Sequence, residues 1–268
     1  MSERTFGNVY DDEERARAYA GLQYPGTYAL AFRDLPGIIG AWARGPPALD
    51  FGCGTGRSTR LLRSLGLDVV GVDISRPMLD QARALDPAGT YRLVTEEGLE
   101  RIAGGPFDLI LAAFTFDNIP GDAGRVSALG SLGRLMSPQG RLILIVSAPE
   151  IYRHEWVSFS TRDFPGNQDA RDGDTVRIVM LDVPDRRPVE DVLCTDARYR
   201  ELFARTGLAV LETRRPLATG EEPVAWVNET RIPPWAIYVL SALGDGARPD
   251  RDGARSRAGA PEGKAQAT

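Results

Sequence analysis

The sequence predicts an α/β fold, a mostly parallel sheet with helices on both faces, and three observations predict it. Short apolar runs alternate with stretches of helical spacing between about residues 48 and 146. Those runs are continuously apolar rather than alternating, as expected of strands buried on both faces. A glycine cluster, Gly52-Cys53-Gly54-Thr55-Gly56, stands where the first strand hands over to a helix.

Taken in order, Ala48-Leu49-Asp50-Phe51 is a short buried strand entering the glycine cluster. Arg57 to Leu65 reads as a helix with apolar Leu61, Leu62 and Leu65, closed by Gly66. Val69 to Val72 is the next strand. Ser75 then suits a helix N-cap, with Pro77 tolerated in the first turn and Met78, Leu79, Ala82 and Leu85 forming an apolar stripe. Tyr91 to Val94 and Leu109 to Phe114 read as further strands. Val126, Leu129, Leu132 and Leu135 recur at helical spacing, and Ser137-Pro138-Gln139-Gly140 makes a turn into a strand over Leu142 to Val146.

Beyond residue 150 the pattern changes. Val176 to Leu181 and Val189 to Cys194 read as a pair of strands joined by the turn Pro184-Asp185-Arg186-Arg187-Pro188. A helix over Ala197 to Arg205 follows, ending near Gly207, and Leu208 to Leu211 and Trp235 to Leu240 read as two final strands. The stretch from Gly244 to Thr268 has almost no large apolar residues and is expected to be a disordered tail.

Composition narrows the function. The chain has 268 residues, 43% hydrophobic and 26% charged, and a net charge of -5. Its longest apolar runs are about six residues, such as Leu109 to Phe114, against the ~20 that span a bilayer. No membrane partner is expected. The first twenty residues lack a hydrophobic segment, so no secretory signal is visible and a cytoplasmic protein is the expectation. Of 32 basic residues only Lys264 is a lysine, and the arginines are spread along the chain. An acidic chain without a basic block is a poor binder of phosphate backbones, so no nucleic-acid partner is expected. Cys53 and Cys194 lie too far apart for a CxxC motif, and one histidine cannot build a His-based metal site; no metal is expected.

The glycine cluster carries the chemistry. Glycines there let the backbone approach a ligand, and the helix N-terminus that follows offers free N–H groups. The pattern is G-x-G-x-G, with Arg57 where the third glycine of a dinucleotide loop belongs, and no Gly-Lys-Ser/Thr follows to make a Walker loop. Asp73, at the end of the second strand, can accept two hydrogen bonds from vicinal ribose hydroxyls. The residues therefore point to a nucleoside without a pyrophosphate.

At this point the sequence resembles the class I S-adenosylmethionine-dependent methyltransferases. The resemblance rests on Leu49 to Gly56, Val70-Gly71-Val72-Asp73-Ile74-Ser75, Phe107-Asp108-Leu109-Ile110-Leu111 and Leu135 to Leu142, in the family's order and spacing. It implies a Rossmann-like seven-stranded sheet, parallel except for Trp235 to Leu240. It divides the chain into an N-terminal helical lid segment (1–45), a cofactor-binding α/β core (46–150), an acceptor-side insertion with the C-terminal part of the sheet (151–243), and the tail (244–268). It implies S-adenosyl-L-methionine as cofactor. Asp50 and the backbone of Gly52, Cys53 and Gly54 would hold the methionine moiety, Asp73 the ribose, and Ile74 and Met78 the adenine. Ala113 and Phe114 would line the methionyl end. The family often contacts the adenine amino group with an acidic residue after the third strand, and Glu96 and Glu97 both stand near that place.

Ligands of open α/β sheets lie beyond the carboxyl ends of the strands. That locates acceptor chemistry in Phe114 to Pro120 and in Ser147 to Trp156. His154 is the single histidine, the residue type suited to deprotonating an acceptor near neutral pH, and is otherwise a structural or surface histidine. Asp117 and Asn118 either orient or deprotonate an acceptor or cap a helix. The catalytic candidates are His154 and Asp117; the acceptor-binding candidates are Tyr24, Tyr28, Asn118 and Trp156. Tyr10, Tyr19, Phe6 and Phe32 complete an aromatic N-terminal set that either covers the site or packs its helix. The expected function is methyl transfer to an O, N or carboxylate of a small molecule. The alternatives are methylation of a macromolecule such as tRNA or protein, and a cofactor-binding fold with a non-methylating or scaffold role.

Overall fold

In the computed structural model of the chain the described residues are 11–22, 26–95, 102 and 104–243. The strands are β1 (Pro47–Phe51), β2 (Asp68–Asp73), β3 (Thr90–Leu93), β4 (Phe107–Ala113), β5 (Met136–Ser147), β6 (Phe159–Ser160), β7 (Thr175–Met180), β8 (Val189–Val192), β9 (Leu208–Arg214) and β10 (Trp235–Ala242). The helices are α1 (Glu13–Ala20), α2 (Thr27–Arg33), α3 (Leu35–Trp42), α4 (Arg57–Ser64), α5 (Arg76–Leu85), α6 (Gly121–Leu135) and α7 (Asp196–Arg205).

Seven strands form one sheet in the order β3-β2-β1-β4-β5-β10-β9. The pairs from β3 to β5 are parallel, and β10 runs antiparallel to both β5 and β9. The expected Rossmann-like sheet with a single reversed strand is therefore present. Strand side chains alternate between faces, and the two cores divide accordingly. Leu109, Leu111, Ile143, Ile145, Ile237 and Val239 pack on one face with Leu35 and Ile38 of α3. Ile110, Leu142, Leu144, Tyr238 and Leu240 pack on the other with Leu129 and Leu132 of α6 and Leu202 and Phe203 of α7. Burying each such side chain contributes about 1.5–3 kcal/mol.

Local signals act as the sequence suggests. Ser75 accepts a hydrogen bond from the N–H of Met78 and caps α5, whose Met78, Leu79 and Ala82 are buried. Leu85 departs from the expected stripe: it ends the helix and is 50% exposed. β5 also differs, starting at Met136 instead of Leu142. Met136 pairs with Phe107 and Arg141 with Leu109, so the intervening Ser137 to Gly140 is taken up as an irregularity in the strand rather than a free turn. Ser137 Oγ donates to Asp108 Oδ1 there, and a Cβ on Gly140 would lie 2.7 Å from the Phe107 carbonyl oxygen.

The insertion after β5 forms a second, antiparallel sheet, β6-β7-β8. Its β7–β8 pair matches the two strands expected there, with β8 ending at Val192 instead of Cys194. Among the described residues no helix is long and apolar enough to cross a membrane, and no group of three or more metal-ligating side chains is assembled.

Candidate active site

The parallel strands reverse direction of growth between β1 and β4, which are neighbours in the sheet while β2 lies on the far side of β1. A crevice opens beyond the carboxyl ends of strands at such a switch point. A cavity of about 250 Å³ lies here.

Its first wall is the loop between β1 and α4. The N–H groups of Gly52 and Cys53 donate to the Val72 carbonyl at 2.8 and 3.0 Å, fastening the loop to β2. Gly52 has φ +72°, and a Cβ on it would lie 2.2 Å from Thr115 Oγ1, so glycine is required by backbone and space alike. Gly52, Cys53 and Gly54 line the cavity with Asp73, Ile74 and Met78. Asp73 Oδ2 accepts from the Gly54 N–H and Oδ1 from the Ser75 N–H, both at 2.8 Å. Burial raises the Asp73 pKa. Each carboxylate oxygen has a second lone pair, so two further donors can be accepted.

Asp50 stands elsewhere than expected. It is not a cavity-lining residue but is buried behind the loop, where Oδ2 accepts from Ser58 Oγ at 2.7 Å and Thr59 Oγ1 at 2.6 Å. Oδ1 has no hydrogen-bond partner among the described residues. Burial is the main cause that pushes its pKa up to about 6, against the lowering by the two hydroxyls. Asp50 is thus a brace between the loop and the first turn of α4. Cys53 is buried, and burial raises its thiol pKa well above normal.

Ala113 and Phe114 line the middle of the cavity. Phe114 has φ +60°, a left-handed conformation that costs a residue other than glycine about 1–3 kcal/mol and clusters at functional sites. Its N–H donates to the Ile145 carbonyl at 2.8 Å. Its ring meets Trp235 at 4.7 Å and Tyr28 at 5.7 Å between centroids.

β5 is three strands from β2, roughly 14 Å at 4.7–4.9 Å per strand, and the lining around it is of another kind. Asp117 lies in a short 3-10 turn after β4 and is 5% exposed. Its carboxylate accepts from the Ser147 N–H at 3.0 Å and the Ser147 hydroxyl at 2.9 Å. Asp191, on β8, accepts from the Tyr152 hydroxyl at 2.9 Å. Burial raises both carboxyl pKa values, and the negative charge of Asp191 raises that of Asp117 further. Asn118 lines the cavity, with its amide donating to the Phe114 carbonyl at 3.3 Å. Tyr28 lines it too and donates its hydroxyl to Met180 Sδ at 3.2 Å.

Two expected residues are absent from this wall. His154 is not among the lining residues; its ring meets Trp156 edge-on at 6.2 Å. Trp156 is 2% exposed, belongs to the core and donates its indole N–H to the Ile151 carbonyl at 2.8 Å. The cause is the 3-10 turn Pro149–Tyr152, which brings Ile151 and Tyr152 to the cavity and carries the chain past it before His154. Tyr24, Glu96, Glu97, Tyr10, Phe6 and the tail 244–268 lie outside the described residues. Sequence reasoning missed Asp191 and Tyr152. The apolar Val189 to Cys194 run gave a strand but no hint that its one aspartate faces a cavity.

A family model described as a methyltransferase domain matches residues 49–142. The chain is 28% identical over 142 residues to N-demethylindolmycin N-methyltransferase of Streptomyces griseus, covering 52% of this chain and 60% of that one. It is 30% identical over 152 residues to the ubiquinone biosynthesis O-methyltransferase of Methylococcus capsulatus, covering 48% and 62% respectively. The match thus spans about three fifths of the length of these curated relatives. Among solved structures, the CcbJ methyltransferase from Streptomyces caelestis superposes with a TM-score of 0.59 at 19% identity, covering 90% of this chain and 99% of that one. DesVI of Streptomyces venezuelae gives 0.57 at 20%, covering 90% and 100%. These likenesses establish the fold over most of the chain, and the sequence match establishes the core. Through that core, residues 49–142, the chain is similar to the class I S-adenosylmethionine-dependent methyltransferases.

Proposed function

We propose that the chain is an enzyme that transfers the methyl group of S-adenosylmethionine to an O, N or carboxylate acceptor on a small molecule. One observation carries this reading: a single cavity joins the glycine loop and Asp73 to the buried carboxylates Asp117 and Asp191, with Phe114 between them. The residues fit the cofactor. The glycine loop offers backbone at close approach, Asp73 retains acceptor capacity for two ribose hydroxyls, and Ile74 and Met78 give apolar contact for a base. Asp50 acts on the cofactor through the loop it braces. The relatives whose names specify N- and O-methylation of small molecules support the substrate class.

S-adenosylmethionine, when bound, supplies a methyl group on a positively charged sulfur. The chain's own residues supply the rest. The aromatic wall excludes water and holds the acceptor close, and proximity is the main contribution such a displacement needs. Asp117, with its pKa raised by burial, takes a proton from an acceptor that arrives protonated. α1 and α2 serve as the cover over the site, with Tyr19 of α1 and Tyr28 and Phe32 of α2 in the wall.

The test is calorimetric titration with S-adenosylmethionine, followed by detection of S-adenosylhomocysteine released with a panel of small acceptors. Absence of cofactor binding would overturn the reading. Binding without turnover on any small acceptor, but with turnover on bulk RNA or protein, would replace the substrate class.

A further inference from the structure

From the wall beyond Phe114 we infer that the acceptor is a basic amine, held as its ammonium by Asp191 and Asp117, one of which then takes its proton. This rests on the methyl-transfer reading and narrows its acceptor.

Three observations point to an ammonium. First, Asp191 is 7% exposed yet lines the cavity, and its only hydrogen bond among the described residues is the one Oδ2 accepts from Tyr152. Oδ1 has no hydrogen-bond donor among the described residues. A buried carboxylate oxygen without a donor is costly, and a ligand N–H removes that cost.

Second, the charges do not cancel. The groups packed about this end are Asp117, Asp191, Tyr152 and Arg125. Arg125 is 1% exposed and directs its donors to carbonyls, Nε to Phe116 at 3.3 Å and one terminal nitrogen to Val192 at 2.7 Å. Among the described residues that line the cavity the only cationic side chain is Arg57, at the glycine-loop end. A cation bound between them favours the ionised form of both carboxyls, and with both ionised the two carboxylates exceed the single guanidinium by the one charge an ammonium supplies.

Third, the remaining wall is aromatic. Tyr28, Phe114, Phe159 and Trp235 line the cavity with centroids 4.7–5.8 Å apart. Aromatic rings attract an ammonium, most strongly when it is desolvated, and they accept the added methyl group without a polar penalty. An alcohol or a carboxylate uses neither the charge nor the rings. A carboxylate would meet like charge.

The step balances. An ammonium gives one proton to the carboxylate, leaving a neutral nitrogen with a lone pair. That lone pair forms the new N–C bond while the carbon–sulfur bond breaks and its electron pair stays on sulfur. The methylated nitrogen leaves as an ammonium, and the carboxyl returns its proton to water.

The experiment compares two probes of matched shape, cyclohexylamine and cyclohexanol, titrated by calorimetry near neutral pH into the full chain saturated with S-adenosylhomocysteine. The amine is expected to bind at least about tenfold more tightly than the alcohol. Asp191→Asn is expected to weaken the amine by about tenfold or more, while S-adenosylhomocysteine affinity stays within about twofold. Should the variant fail to fold, the comparison on the unmodified chain decides alone. Equal binding of the two probes overturns the inference. So does binding of neither while S-adenosylhomocysteine binds, or an amine affinity indifferent to Asp191→Asn. Failure of S-adenosylhomocysteine itself to bind strikes the methyl-transfer reading instead.

Discussion

The backbone N–H of Gly54 donates to Asp73 Oδ2 at 2.8 Å, while Oδ1 of the same carboxylate accepts from the Ser75 N–H. One side chain at the end of β2 therefore holds the glycine loop on one side and the start of α5 on the other. Asp73→Ala removes both this bracing and the carboxylate proposed to accept from the ribose. It is expected to weaken S-adenosylmethionine by about 1–3 kcal/mol, the range for buried hydrogen bonds. Calorimetry on the variant checks this, and an unchanged affinity would remove Asp73 from the cofactor site.

The fold and half of the site were legible in the sequence because they depend on local signals. Glycines at positive φ, a serine cap and continuous apolar strands each act over a few residues, and Gly52, Gly54, Asp73 and Met78 all reach the cavity. The half proposed for the acceptor depends on contacts far apart in sequence. Asp191 meets Tyr152 across 39 positions and Asp117 meets Ser147 across 30. No spacing rule announces such pairs. His154 and Trp156 stand near the end of β5 in sequence but not at the cavity, because one 3-10 turn carries the chain past it.

Gly52→Ala tests the loop's geometry apart from its ligand. The new Cβ would stand 2.2 Å from Thr115 Oγ1 at a φ of +72°. Left-handed backbone costs an L-residue about 1–2 kcal/mol, and overpacking a further 1–3 kcal/mol or so. Thr115 is held in place by its hydroxyl, which donates to the Phe51 carbonyl at 2.9 Å. The expected outcome is destabilisation of about 2–5 kcal/mol in a urea titration, with cofactor binding lost or greatly weakened. A variant as stable as the parent would mean that the loop has room this geometry denies it.

Asp50 makes stability depend on pH in a definite direction. Its folded-state pKa, about 6, lies above the ordinary value of about 3.9. Between those values the folded chain holds more of this proton than the unfolded chain, so the carboxyl's contribution falls as pH rises from about 4 through 6. The span of roughly two pKa units corresponds to about 3 kcal/mol. Asp50→Asn cannot titrate, and its pH-independent costs cancel when two pH values are compared. Relative to the parent, the variant should therefore gain about 2 kcal/mol between pH 4 and pH 7, most of that span, measured by denaturant unfolding at both. A difference that stays constant with pH would show that Asp50 ionises normally.

Glu229 fixes the start of α2, and its bonding predicts a cost for its conservative replacement. It is fully buried, and its two oxygens accept four hydrogen bonds. Oε1 takes the Thr27 hydroxyl at 2.6 Å and the Val157 N–H at 2.8 Å; Oε2 takes the N–H groups of Val227 and Asn228 at 2.9 and 3.0 Å. Thr27 begins α2, whose Tyr28 stands in the aromatic wall, and the Thr27 carbonyl accepts the Trp235 indole N–H at 2.8 Å. A single carboxylate thus joins the N-terminal helices, the insertion and the approach to β10. Glu229→Gln has nearly the same shape, but its amide nitrogen must face donors in place of one oxygen. Leaving buried donors unpaired costs about 1–3 kcal/mol, and at least one pair of donors loses its acceptor here. The expected result is a loss of about 2–3 kcal/mol in unfolding free energy, with faster amide hydrogen exchange in α2 than in α4 or α5. Uniform exchange throughout the chain would show that α2 is held to the sheet by its apolar contacts alone.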